Sequence, residues 1–202
     1  MVFLFLYNMY SYRVYLKLMT IQINYKNKGS IKTSSNLVLF VDEKFNINSL
    51  KKHISNSEFS YIADLLKTSD LKKDLLLFKI NSKKTIFLAS IKKDLKTSDI
   101  ENLGAKFHGY IDYDKKSDYV VNSDTINSKI RNFVGYFLHG LKLKSYEFNI
   151  YKSKKNKKII SVNVIGNKNK ISSKDQLRFK ALEEGTFFAR DLVSEPGNIL
   201  HP

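Results

Sequence analysis

The apolar residues of this chain form short continuous runs that alternate with segments of helical periodicity. The runs at 36–41, 75–80, 85–89 and 161–165 consist largely of aliphatic and aromatic residues. Runs of this length are typical of strands covered on both faces. The polar residues 81–84 between the second and third runs predict an antiparallel hairpin.

Two segments between these runs have apolar residues at the spacing of an amphipathic helix. The first begins after the capping residues Thr97, Ser98 and Asp99, and its stripe is Ile100, Leu103, Gly104, Phe107 and Ile111. The second follows the caps Ser123, Asp124 and Thr125, and its stripe is Ile126, Ile130, Phe133, Val134, Phe137, Leu138 and Leu141. Strands interleaved with helices predict an α/β fold, with a mixed sheet because one pair is antiparallel.

A third helix is predicted near the end of the chain, from residues 172–175 to the stop at Pro196 and Gly197. Gly185 lowers helix propensity, so it predicts close packing. The apolar stripe of this helix is Leu177, Ala181, Leu182, Gly185, Phe188, Ala189, Leu192 and Val193.

Composition indicates one ordinary globular domain. Hydrophobic residues make up 43% and charged residues 27% of the 202 residues, which excludes wholesale disorder. The sequence has no cysteine, which excludes disulfides, thiolate metal sites and a cysteine nucleophile. This composition fits a cytoplasmic location.

The formal net charge of +16 raises nucleic acid as a partner. However, the 35 basic residues include only four arginines, at Arg13, Arg131, Arg178 and Arg190. Base-edge recognition favours the planar guanidinium group, whereas lysine acts as a point charge. The lysines therefore indicate the codon bias of an AT-rich genome more than a binding face, with nucleic-acid binding left as the alternative.

Residues 1–18 are expected to be a disordered or mis-assigned extension. The apolar run at 2–7 is too short to span a bilayer, and no signal-peptide pattern follows it. Met19 is a plausible start, so we expect no membrane partner.

The sequence offers no catalytic, cofactor-binding or metal-binding residue. The four histidines, His53, His108, His139 and His201, are isolated and lack zinc-ligand spacing. One charged cluster combines Glu183 and Glu184 with Arg190 and Asp191. We expect either that Arg190 pairs across a domain junction or that the cluster forms an exposed i,i+4 pair.

Several segments resemble the leucyl (cytosol) aminopeptidases. Residues 189–202, with the sequence ARDLVSEPGNILHP, are similar to the segment that leads into the catalytic domain of that family. Residues 179–191 resemble the family's interdomain helix, and residues 140–152 and 103–106 resemble parts of its N-terminal domain. The resemblance covers about residues 20–202.

The resemblance implies a macro-like N-terminal α/β domain over 19–171, followed over 172–202 by the interdomain helix and the start of a linker. In the family, a downstream catalytic domain holds two divalent metals (Mn or Zn), and the enzyme assembles as a hexamer. The sequence ends before those metal motifs, so we expect a truncated, inactive chain whose missing partner is the catalytic domain. A stand-alone regulatory or assembly domain is a further alternative.

This hypothesis also predicts how the last helix behaves. Its stripe of Leu177, Ala181, Phe188, Ala189, Leu192 and Val193 should partly face the absent domain. Such a surface predicts self-association or poor solubility. Residues 186–202 should then exchange amide hydrogens faster than residues 159–165.

Overall fold

The centre of the molecule is a mixed β-sheet. The computed structural model describes residues 21–25, 36–113, 118–149, 151 and 159–197. Within them, six strands are ordered β1-β6-β5-β2-β4-β3. All neighbours are parallel except β3 and β4, which form the predicted hairpin. The strands are β1 (Ile21–Tyr25), β2 (Asn36–Asp42), β3 (Leu75–Lys79), β4 (Thr85–Ile91), β5 (Asp118–Asn122) and β6 (Ile160–Ile165).

Helices cover both faces of the sheet, which explains the continuous apolar runs. The described helices are α1 (Asn56–Leu66), α2 (Thr97–His108), α3 (Phe133–Lys144) and α4 (Ser173–Ser194). Alternate residues of β2 serve two separate cores: Val38 and Phe40 pack with α2 and α3, whereas Leu39 packs with Ile62 of α1. The predicted fold, a mixed sheet flanked by helices and ending in a long helix, is confirmed.

The helices α2 and α3 pack backbone to backbone at two glycines. A Cβ atom on Gly104 would lie 1.8 Å from the carbonyl oxygen of Phe137, and one on Gly140 would lie 1.9 Å from that of Glu101. The rings of Phe107 and Phe137 stack beside this contact with centroids 5.8 Å apart. This interface fixes α3, which in turn carries α4.

Three sequence predictions need correction. Residues 123–125 form a short 3-10 turn rather than helix caps, and α3 begins only at Phe133. At α2, Thr97 already lies within the helix, and the Asp99 carboxylate accepts a hydrogen bond from the Lys96 amide at 2.8 Å. The strands β1 and β5 and the helix α1 were not predicted, because their apolar runs are short or interrupted by polar residues. The prediction for residues 1–18 lies outside the described residues.

Candidate functional site

The helix α4 turns an unusual row of residues towards the domain. Four residues at i,i+4 spacing are buried on this inner row: Phe179, Glu183, Phe187 and Asp191. Aromatic and acidic side chains therefore alternate along the packed face. Ser172 begins the helix, since its hydroxyl accepts a hydrogen bond from the Asp175 amide at 3.1 Å.

The aromatic residues of the inner row pack against α3 and the residues just after it. Phe179 fills the space beside Gly135, where a Cβ atom would lie 2.2 Å from the ring. Its ring meets that of Tyr136 edge to face, with centroids 5.2 Å apart. One turn before the helix ends, Phe187 stacks on Tyr146 at 5.4 Å. These contacts supply the apolar part of the attachment.

The acidic residues of the inner row bind polar groups on the same surface. The carboxylate of Glu183 lies 3.4 Å from Nδ1 of His139, and both side chains are buried. The hydroxyl of Tyr146 donates a 2.7 Å hydrogen bond to Asp191. Both carboxylates thus have partners within the domain, as buried charges require.

A buried lysine lies in the same layer. Lys142 is buried, and its ammonium group donates a 2.7 Å hydrogen bond to the carbonyl of Ile21 in β1. Burial lowers the pKa of Lys142, and the negative charge of Glu183 opposes that shift. Desolvation, and then the charge of Glu183, raise the pKa of Tyr25 to about 12. Glu183 is therefore the acidic centre of a polar layer between α3, α4 and β1.

The outer face of α4 is apolar and exposed, as the sequence predicted. Val193 is 87% and Leu177 67% exposed. Nothing lies within 4 Å of a Cβ atom built on Gly185, so the prediction of close packing at this glycine is wrong for the described part of the chain. The outer face consists of Leu177, Ala181, Leu182, Gly185, Phe188, Ala189, Leu192 and Val193.

The charged cluster is divided between the two faces. The guanidinium of Arg190 donates a 2.7 Å hydrogen bond to the carbonyl of Leu143 and lies 5.4 Å from the centre of the Tyr146 ring. Arg190 therefore contacts its own domain at the end of α3 in this structure. Glu184 lies 3.8 Å from Lys180, an i,i+4 pair of the expected kind. Sequence reasoning missed that Glu183 and Asp191 point inwards, although their i,i+4 alternation with Phe179 and Phe187 was a usable signal.

The described histidines lie apart, each beside a different partner. His53 is 3.1 Å from Asn122, His108 is 2.8 Å from the hydroxyl of Tyr113, and His139 contacts Glu183. His201 lies outside the described residues. Among the residues described, no group of three or more His, Cys, Asp or Glu side chains is placed to hold a metal ion. Nor does any described helix combine the length and apolarity needed to cross a bilayer.

A second candidate site is an open cavity of about 1040 Å³ near the carboxyl end of β4. Its charges have both signs, and Asp74 is already paired with Lys92 at 2.7 Å and with Lys106. These pairs hold the pKa of Asp74 below its usual value. Because acidic and basic residues alternate around the cavity, it favours no class of ligand.

Comparison with solved structures supports the fold. A point mutant of tomato leucine aminopeptidase matches 90% of this chain with a TM-score of 0.66 and 16% identity. The bottromycin maturation enzyme BotP, in a complex with Mn, matches 84% of the chain with a TM-score of 0.58 and 10% identity. A second BotP structure matches 83% with a TM-score of 0.59. No protein-family model and no curated protein matches the sequence.

These similarities define a class by its fold. The chain has an aminopeptidase-like α/β fold, and it spans 40% of the tomato enzyme and 34% of each BotP chain. At 10–16% identity the relationship is one of fold.

Proposed function

We propose that this chain serves as the N-terminal, non-catalytic domain of a leucyl-aminopeptidase-type enzyme. In this role, the outer face of α4 packs against a catalytic domain that releases N-terminal amino acids from peptides. The observation that carries the proposal is the exposed apolar face on a helix whose inner face is already occupied. Apolar surface of this kind, on an otherwise ordinary domain, marks an interaction site.

Two further observations favour a catalytic domain as the occupant. The match covers nearly all of this chain but less than half of the tomato enzyme, so more than half of such an enzyme lies beyond the shared fold. In addition, α4 is the last described helix in chain order, so a following domain would start next to its outer face.

The metal ions of such an enzyme would belong to the catalytic domain. The described residues of this chain do not fit a two-metal site, since their histidines are separated and Asp74 is committed to two lysines. We derive no catalytic step through a metal here. Hexamer formation and a cytoplasmic location are proposed from the resemblance alone.

An activity assay tests the non-catalytic part of the proposal. The purified chain is incubated with leucyl p-nitroanilide and Mn²⁺, beside a leucine aminopeptidase as a positive control. We expect no release of p-nitroaniline above the rate without protein. Turnover that follows the chain through purification would show that this domain is itself a peptidase.

A self-association measurement tests the docking part. In the absence of its partner domain, the chain should dimerise or aggregate through the outer face of α4, as light scattering coupled to size exclusion would show. Replacing Leu182 and Leu192 with glutamate should shift the protein to monomer. The matched control places two glutamates at the exposed Ser82 and Ser98, which changes the charge equally but leaves α4 intact. Equal association of both double variants would refute the docking face.

A further inference from the structure

The orientation of α4 is the opposite of what its hydrophobicity alone favours. Burying the stripe that contains Leu182 and Leu192 would remove more apolar surface from water than burying a row with two carboxylates. Yet the structure buries Glu183 and Asp191 and leaves the leucines exposed. Specific polar contacts must therefore select this orientation over a rotated one.

The polar contacts are complementary only in the observed register. Glu183 lies opposite His139, in the same layer as the ammonium group of Lys142, and Asp191 lies opposite the hydroxyl of Tyr146. A shift of α4 by one turn would place an aromatic ring beside Lys142. It would also move Glu183 to the apolar surroundings of Gly135 or to the Tyr146 ring. Either shift would leave buried charges without partners, which is costly.

We propose that Glu183 and Asp191 form a two-point polar clasp that fixes the register of α4 and keeps its apolar face directed outwards. The clasp is the device that prevents the helix from burying its own docking face. Buried polar pairs specify register in other helical assemblies at some expense of stability. Every contact of the clasp lies within the described chain, so this inference stands whether or not the proposed function is correct.

Amide hydrogen exchange of the isolated chain tests the clasp at its centre. In E183Q, His139 and Lys142 remain buried without a carboxylate, so the amides of α4 should exchange at least about tenfold faster than in the wild type. The amides of β6 (Ile160–Ile165) should be unchanged and serve as the internal reference.

A matched variant separates the clasp from a general loss of charge. Glu184 is the next residue on the same helix and forms only a long pair with Lys180. The exchange rate of α4 in E184Q should stay within about twofold of the wild type. Equal exchange in wild type and E183Q, or equal acceleration in E183Q and E184Q, would overturn the proposal.

A double variant shows whether the effect arises from unpaired buried charge. K142M/E183L replaces both charges with apolar groups of similar volume, which commonly preserves stability. Exchange in α4 should return to within about threefold of the wild type. If E183Q does not fold, folding of K142M/E183L supports the clasp. Failure of the double variant to fold, or exchange in it as fast as in E183Q, contradicts it.

Discussion

The helices α2 and α4 pack on the same partner, α3, in opposite ways. The α2 helix buries its apolar residues Leu103 and Phe107 and brings Gly104 against the backbone of α3. The α4 helix buries two carboxylates and exposes its apolar stripe, including Leu182. The first interface is a domain core, whereas the second is an attachment that leaves a helix available to something else.

The difference shows that amphipathicity does not by itself say which face of a helix meets its own domain. In α2 the apolar face supplies the stability of the fold, because burial of apolar area is the main favourable contribution to folding. In α4 the same kind of face is reserved, and aromatic rings and hydrogen-bonded carboxylates make the contact instead.

The largest expected contrast comes from truncating one leucine on each helix. L103A removes a buried side chain from the core and should lower the free energy of unfolding by about 3 kcal/mol. L182A removes a half-exposed side chain and should change it by less than about 0.5 kcal/mol. Urea denaturation of both variants measures the difference. Similar losses in the two would mean that both helices pack through their apolar faces.

Adding one methyl group to a glycine on each helix gives a smaller contrast of opposite sign. G104A forces a Cβ atom against the carbonyl of Phe137 and should destabilise the domain by about 2 kcal/mol. Gly185 has open space around it, so G185A should stabilise the isolated chain by about 0.8 kcal/mol through helix propensity. Thermal melts at one protein concentration are sufficient. Destabilisation by G185A would show that this glycine is packed in solution.

Part of this architecture could be predicted from the sequence. The hairpin, the start of β2, the strand at β6 and the extent of α4 follow from apolar runs and from Pro196 and Gly197, which are local signals. The start of α3 was wrong because Ser123 and Asp124 are good caps that instead bind neighbouring loops; the Asp124 carboxylate accepts the Lys168 amide. Exposure of the α4 stripe was predicted correctly.

The contacts of the clasp could not be predicted in the same way. They join α4 to residues 44 or 45 positions earlier in the chain, such as His139 and Tyr146. Partners at that separation depend on how the sheet positions α3. A pattern within one helix indicates which residues share a face, but it does not identify the residues that face lies against.

The smallest expected effect concerns positive charge, a feature that α2 and α4 share. On the proposed role, the +16 charge is spread over the surface rather than directed at a ligand. Filter binding to nucleic acid should then be weak, independent of sequence, and lost between about 50 and about 200 mM salt. Tight binding that persists at higher salt and prefers one sequence would favour the nucleic-acid alternative.

Thiol labelling of single cysteines tests the central claim most directly, because the natural chain has none. Three alanine-to-cysteine variants give probes of nearly equal size: A181C and A189C on the outer face of α4, and A89C in the buried strand β4. The structure predicts that A181C and A189C react with a maleimide at least about a hundredfold faster than A89C. Labelling of A181C and A189C as slow as that of A89C, in a protein shown to be monomeric, would mean that α4 buries its apolar face and would contradict the account.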